Sequence, residues 1–573
     1  MALWSAAGPW GVLVGSDSGS RRRHAFRSLA GNKALVRVLA GYGLFVLTEY
    51  SVWIAMLVFA YSQGGATAAG LVAVAQLAPA AVVAPVVAPI ADRRSPVVLL
   101  AGGYLVQAAA MAATAAAAVA GVSLAAYAGA VVAATAMTTT RPAQATLIPS
   151  IAATPDQLTA ANVVVGWLEA TGMAAAGLLA GVLISIAGVG SVFAVCAGLA
   201  VAAALLVAGL KVAPLTPGQE DAPPVFAGIA EGLRLAARRP RLRLMLALLT
   251  AEAVVLSALD LLMVILAISV LDRPEAWAGY LNFACGAGAV LAATVSAVLV
   301  GRRLGGPILG AALVFSAALA VLALGLGVAS TVALLAVAGA SSTLLDVATR
   351  TLLQRSVPPE LIGRIFGLVE GFMMAGYALG ALLVPALVYL GGSRLALLGV
   401  AALLPLAAAV GGRALFGLDA ATPVPVVEIA LLRSLPLFAE LPAPAIEGLA
   451  AALTPIHLAP GAVLIRQGDH GDAYYAIAAG ELDVLHDGHF VARCGRGEGV
   501  GEIALLRDIP RTAAVVAHSA ATVYELHRDP FLTAVLGHAP TQRQADRIAD
   551  ARLPAGRAPG DGHDQGPDAP EPG

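Results

Sequence analysis

This chain of 573 residues is 59% hydrophobic and only 12% charged, with a formal net charge of -1. Such a composition excludes an ordinary soluble globule and predicts a polytopic membrane protein. The near-zero charge and scattered basic residues argue against a nucleic-acid partner, which needs a clustered basic face; Cys196, Cys285 and Cys494 lie too far apart for a disulfide framework or a thiolate metal site.

Residues 1–29 lack the early charge and compact apolar run of a cleaved signal and read as a cytoplasmic tail. A bilayer core of about 30 Å needs roughly 20 apolar residues in a helix, and twelve such runs fit between Ala34 and Leu415. They fall into a six-helix half at 30–211, a polar, Pro-containing cytoplasmic linker at 212–240, and a second six-helix half at 241–416.

Basic residues alternate between connections. Arg93, Arg94, Arg141, Lys211, Arg234 to Arg243, Arg302, Arg303, Arg355, Arg364 and Arg413 fall on one side, and only Arg273 and Arg394 on the other. The positive-inside rule then predicts that both termini face the cytoplasm, with the plasma membrane as the location.

The halves are an internal repeat. Ala69-Gly70-Leu71 returns as Ala278-Gly279-Tyr280, Arg141 and Pro149 as Arg350 and Pro358, and Arg93-Arg94 as Arg302-Arg303, all offset by 209 residues. After a shorter loop, Gly166 to Glu169 returns as Gly367 to Glu370.

Two six-helix halves with this repeat resemble the major facilitator superfamily. The segment Ile90-Ala91-Asp92-Arg93-Arg94 resembles a trimmed form of that family's loop motif, with Ala88 at its leading glycine position and no second basic pair. Arg141-Pro-Ala-Gln-Ala-Thr-Leu-Ile-Pro149 and Leu158 to Asn162 resemble its exporter-like branch. Ala176-Gly177 stands where the drug/proton antiporters carry Gly-Pro, so the resemblance implies a secondary transporter without implying the usual form of proton antiport.

Charge at membrane depth costs at least ~2.5 kcal/mol on insertion scales, so an intramembrane carboxylate is a functional candidate by default. Glu49 in helix 1 and Glu252 and Asp260 in helix 7 are the transport or coupling candidates. The repeat places Asp260 near the counterpart of Glu49, as two acids facing one cavity. They serve either proton coupling or recognition of a cationic substrate, or are polar groups neutralised between helices. Asp92, Arg93, Arg141, Glu169, Arg350 and Glu370 sit near cytoplasmic helix ends and read as salt-bridge latches that gate access.

Beyond a linker at 417–427 the chain turns polar, and eight of the nine histidines lie past residue 450. A helical opening precedes short alternating segments around His457, Val463, Tyr474 to Ile477, Leu482 to Leu485 and Phe490 to Arg493, separated by Gly-containing turns. That pattern predicts an all-β roll or jelly roll with flanking helices over 428–540, followed by a disordered tail at 541–573.

A cyclic phosphate needs a fixed guanidinium and free backbone N–H groups at a short helix start, and a ribose hydroxyl needs an acceptor. Within Gly501 to Ala513, Arg511 suits the first role and Glu502 the last. Gly501 permits close backbone approach, Ile503 and Ala504 follow at the helix start, and Thr512 places a hydroxyl beside the phosphate. This run, with Gln467 to Gly480 before it, resembles the cyclic nucleotide-binding domain, which implies cAMP or cGMP as regulatory ligand.

His486 to His489 form a turn with no third metal ligand in sequence, and no Walker lysine motif or catalytic constellation is present. The combined expectation is a non-enzymatic exporter of a small molecule, regulated by cytoplasmic cyclic nucleotide. The rivals are a cyclic nucleotide-gated channel, against which the repeat and the missing filter sequence weigh, and a membrane receptor that does not transport.

Overall fold

The computed structural model describes residues 28–91, 95–138, 140–152, 155–210, 240–295, 303–356, 362–421, 426–438, 441, 443–536 and 539–552. Asp92 and Arg93, the first 27 residues, the linker at 211–239 and the end of the C-terminal tail lie outside them. The chain divides into two compact units at Val424 and Pro425.

With no water at membrane depth, backbone groups must be satisfied within the segment, and the first unit is accordingly helical. Its helices are α1 (Lys33–Ala91), α2 (Pro96–Val119), α3 (Ser123–Met137), α4 (Thr140–Ile151), α5 (Pro155–Ala187), α6 (Val189–Val207), α7 (Pro240–Ile265, extended by a π turn at Leu266–Val270), α8 (Trp277–Val295), α9 (Gly305–Leu322), α10 (Val328–Ser356) and α11 (Ile362–Ala421). Nine described helices are long and apolar enough to cross a membrane, and α3 is a shorter apolar one.

α1 and α11 are each two arms joined at a glycine pair. Gly65 (φ 61°) and Gly392 (φ 73°) adopt the left-handed backbone that a side chain disfavours, which lets the helix direction break there.

Small residues set how closely the helices approach. Gly177 and Gly181 of α5 face Gly279 of α8, Gly286 faces Ala174, and Gly70 faces Ala381 and Pro385 of α11. Tyr61 and Ser269 share a hydrogen bond of 2.7 Å between α1 and the end of α7. These contacts join the two halves, and most cluster toward the bundle end that carries the α1 and α11 kinks. Within the second half, Gly288 lies against the Ala336 backbone and Gly339 against that of Cys285, holding α8 to α10.

The second unit opens with α12 (Val426–Ser434) and α13 (Ala443–Ala452). Eight strands follow: β1 (Thr454–Leu458), β2 (Val463–Ile465), β3 (Ala473–Ala479), β4 (Leu482–His486), β5 (His489–Cys494) and β6 (Gly499–Val500), then β7 (Ala514–Ala517) and β8 (Ala521–His527), with the short α14 (Glu502–Arg507) between β6 and β7. Two antiparallel four-stranded sheets result, ordered β1-β8-β3-β6 and β2-β7-β4-β5. Ile465, Ile477, Leu482, Val515 and Val523 fill the space between them.

α15 (Arg528–Leu536) and α16 (Ala539–Arg552) close the unit. Phe438, Tyr474 and Phe531 form an aromatic knot beneath the helices, with Tyr474 and Phe531 stacked at 5.1 Å. Two expected boundaries are corrected. The segment read as a linker from 417 is helical to Ala421, and residues 541–552 form α16 rather than a disordered tail, because Thr541, Ala545 and Ala549 recur on one helix face and are buried.

A Cβ added at Gly288 or Gly339 meets backbone rather than a yielding side chain. Gly288→Ala and Gly339→Ala should each cost about 1–3 kcal/mol through overpacking, seen as a lower unfolding temperature of the detergent-purified protein, whereas Gly310→Ala, with open space around it, should not shift it.

Candidate functional site

The Gly501 to Ala513 segment is shaped by its own glycine and arginine. Gly501 takes φ 96°, and an added Cβ there would meet the Arg511 guanidinium at 2.5 Å, so residue 501 is confined to glycine by backbone and by space. From Gly501 the chain enters α14, which Asp508 ends with a left-handed φ of 53°.

Arg511 is buried and fixed by backbone acceptors. It donates from Nη1 to the Gly501 carbonyl (2.9 Å) and from Nη2 to the Ala473 carbonyl (2.7 Å), and its guanidinium lies 5.9 Å from the Tyr475 ring centre. Asp472 approaches to 3.9 Å but is largely exposed. Burial lowers the Arg511 pKa, with Tyr475 and Asp472 opposing the shift; a guanidinium nevertheless stays charged in water-accessible proteins. Burial, followed by the charge of Glu525, pushes the Tyr475 hydroxyl up to about 12, leaving a neutral ring beneath the cation.

The loop before β3 is tied to the same segment. Gly468 N–H donates to the Arg511 carbonyl (2.9 Å), and Arg511 N–H to the Asp469 carbonyl (2.8 Å). Arg528 adds a bond to Asp508 (2.6 Å) and another to the Gly471 carbonyl (3.3 Å). Gly471 faces Ala504 and the Arg511 guanidinium, 3.3 Å from where its Cβ would lie. The result is a cradle of glycine backbone around one fixed positive charge, which suits a compact anion.

Glu502 has a partner that sequence spacing did not reveal. Arg552, at the end of α16, donates to its Oε1 (2.7 Å) and to the Gly499 carbonyl (2.7 Å). Glu502 is itself only 2% exposed. Burial opposes the Arg552 charge, but the adjacent carboxylate holds its pKa above the ordinary range. A cavity of about 230 Å³ adjoins this pair, between Leu435, Leu437, Tyr474 and Ile548. Ile503 and Thr512 are half-buried; the Thr512 carbonyl lies 2.8 Å from His486 Nδ1, and His486 is the register partner of His489 where β4 meets β5.

In the membrane unit, Arg141 draws together more than the expected pair. Its guanidinium donates to Glu49 (2.7 Å), Glu169 (2.5 Å) and the Tyr42 hydroxyl (3.1 Å), while Tyr42 donates to Glu169. Arg350 reaches Asp346 (2.6 Å), Glu370 (3.4 Å) and the Met373 sulfur (3.0 Å). Each arginine pairs within its own half. Asp260 accepts from the Trp53 indole across the halves (3.0 Å), whereas both Glu252 carboxylate oxygens lack a hydrogen-bond partner among the described residues. Trp53, Tyr42 and Arg552 escaped the sequence reading because their partners lie on other helices or far along the chain; Asp346 lies four residues before Arg350 on α10.

Comparison with known proteins adds two matches. The Major Facilitator Superfamily profile fits residues 38–368, and the Cyclic nucleotide-binding domain profile fits residues 455–538. A cAMP-dependent protein kinase regulatory subunit of Yarrowia lipolytica is 38% identical over 112 residues, 19% of this chain and 30% of that protein. The acetyltransferase Pat of Mycolicibacterium smegmatis is 41% identical over 134 residues, 22% of this chain and 40% of that protein. Among solved structures, the regulatory domain of Toxoplasma gondii PKA with cAMP is 33% identical, with a TM-score of 0.19 over 19% of this chain and 44% of that one. The chain thus spans less than half the length of each of these relatives.

Arg552→Ala should leave the Glu502 carboxylate buried without its cation and destabilise the second unit by about 2–3 kcal/mol, less than for a fully enclosed pair because the Arg552 side chain is 37% exposed. Thermal unfolding of the full chain should show the loss, and adding Glu502→Gln should recover part of it.

Proposed function

This chain belongs to the Major Facilitator Superfamily and carries a C-terminal cyclic nucleotide-binding domain, and from that premise we propose that it is a secondary active transporter, an exporter of a small molecule, regulated by cAMP or cGMP in the cytoplasm. Counting each bent helix as two arms and α3 as one supports twelve crossings in two halves. The basic connections support cytoplasmic termini and a plasma-membrane location.

The observation that carries the regulatory part is the Arg511 cradle. A charged guanidinium held by two carbonyls, with glycine backbone at Gly471 and Gly501 beside it, is complementary to a cyclic phosphate. Glu502 stands next to it as ribose acceptor, with Oε2 free of the Arg552 bond. Ile503, Ala504 and Thr512 complete the ligand's surroundings. The PKA regulatory relatives, one of them solved with cAMP, support this ligand class.

The transport part rests on the breakable pairs. Arg141 with Glu49 and Glu169, and Arg350 with Glu370, tie helices within each half, Asp346 holding Arg350 from the same helix, while Trp53–Asp260 and Tyr61–Ser269 tie the halves together. We assign the first two sets to shaping each half as it rocks, with Asp92 and Arg93 as further gating residues, and the second two to holding one access state. Alternating access requires the second kind to part. A nucleotide shifts that equilibrium only by binding one state better than the other.

Accessibility at the closed end tests regulation without knowledge of the cargo. The three native cysteines are buried, so Ser269→Cys supplies a reporter thiol. Saturating cAMP or cGMP should change its maleimide labelling rate by about fivefold or more, the usual scale of allosteric coupling. The Arg511→Ala variant should show no such change and at least about thirtyfold weaker nucleotide binding. Equal labelling with and without bound nucleotide would remove the regulatory reading.

A further inference from the structure

β7 begins at Ala514, so Arg511 and Thr512, just before it, lie outside the strand. In the sheet, β7 runs between β2 and β4, through pairs that reach Ile465–Val515 on one side and Leu485–Ala514 on the other. Past those pairs the strand ladder can no longer hold the chain. The residues that continue β2 and β4 hold it instead.

On the β4 side, His486 Nδ1 lies 2.8 Å from the Thr512 carbonyl. A carbonyl can only accept, so Nδ1 carries the proton of this bond. On the β2 side, Gly468 N–H donates to the Arg511 carbonyl (2.9 Å) and Arg511 N–H to the Asp469 carbonyl (2.8 Å). The two sides are also tied to each other: Gln467 Nε2 donates to Asp487 Oδ1 (2.7 Å), and Asp487 N–H donates to Gln467 Oε1 (2.8 Å). Asp487 stands in the turn between β4 and β5 with a left-handed φ of 51°, a conformation that Asp and Asn adopt more readily than most residues.

Together these bonds close a ring from Gln467 and Gly468 through Arg511 and Thr512 to His486 and Asp487, and back to Gln467. The ring fixes the backbone of Arg511 and Thr512 from both sides, whereas the Gly501 and Ala473 carbonyls fix the guanidinium. A binding charge is held only as firmly as the backbone that carries it, and holding it in place before the ligand arrives removes an ordering cost from binding. Core packing does not explain these side chains, since that of His486 is 44% exposed and Gln467 and Asp487 are exposed. We propose that the turn between β4 and β5 braces the phosphate site, with His486 and the Gln467–Asp487 pair as positioning residues that set phosphate affinity by holding Arg511 and Thr512. This assignment rests on the cyclic nucleotide reading and extends it to residues outside the Gly501 to Ala513 run.

The test titrates the purified full-length protein with cAMP and cGMP, and with adenosine and guanosine, which keep base and ribose but lack the phosphate. His486→Leu and Gln467→Ala should each weaken the cyclic nucleotide about five- to tenfold, the affinity equivalent of one intramolecular hydrogen bond, while leaving the nucleoside unchanged. His486→Asn, whose amide nitrogen can donate from near the Nδ1 position, should recover most of the loss. Asp487→Asn, which keeps the Oδ1 acceptor and tolerates the left-handed backbone, should bind like the wild type. Unfolding temperatures equal to that of the wild type report that each variant is folded.

Cyclic nucleotide binding that neither His486→Leu nor Gln467→Ala weakens overturns the brace and leaves the nucleotide reading standing. Equal loss of nucleotide and nucleoside, or a loss that His486→Asn does not recover, overturns it too, because the side chains then support the pocket as a whole rather than the phosphate. A wild type that binds neither cyclic nucleotide removes the nucleotide reading itself, and the brace with it.

Discussion

The cost of placing charge where water is scarce governs both units of this chain. Arg141, at the start of α4, is kept by two carboxylates and a tyrosine hydroxyl from other helices, and Arg350 by two carboxylates and a methionine sulfur. In the β unit, Arg511 is buried against two backbone carbonyls and a tyrosine ring. Each of these arginines dictates where several chain segments must meet, because an unpaired buried charge costs more than the contacts around it return. Among the described residues, the Glu252 carboxylate is buried without a hydrogen bond to either oxygen.

Glycine supplies the complementary constraint, which is proximity. In the membrane unit the gain on association is van der Waals contact, and Gly177, Gly181 and Gly279 let α5 and α8 meet backbone to backbone. In the β unit the same absence of a side chain brings the backbone at Gly471 and Gly501 against a guanidinium. One residue type thus builds a close helix interface between halves in one unit and the backbone seat of a guanidinium in the other. The difference lies in the neighbours, apolar helices in the first case and a fixed cation in the second.

Legibility followed the range of the interaction. The jelly-roll strands could be read because alternation and Gly-containing turns are local, and β3, β4 and β5 lie where the sequence pattern put them. The pairing of Arg141 with Glu169 and of Arg350 with Glu370 was suggested by the repeat, which carries spatial information within the sequence. Residues 541–552 were misread because α16 is strongly polar on its outer face, and only the buried Thr541, Ala545 and Ala549 reveal its packing. Arg552 reaching Glu502 across 50 positions left no local signature.

By itself, the sequence determined that this is a two-part protein, a repeated apolar helical body followed by a β unit in which Arg511 is the candidate partner of an anion, since composition, periodicity and turn chemistry are properties of neighbouring residues. Tertiary structure alone decided which charges are compensated. It gave Glu49 to Arg141 rather than to a site shared with Asp260, gave Asp260 to Trp53, occupied one oxygen of Glu502 with Arg552 and left Glu252 without a hydrogen bond among the described residues. The reason is that compensation depends on distances of a few ångströms between groups far apart in the chain, and at low dielectric those distances separate a paired charge from an unpaired one.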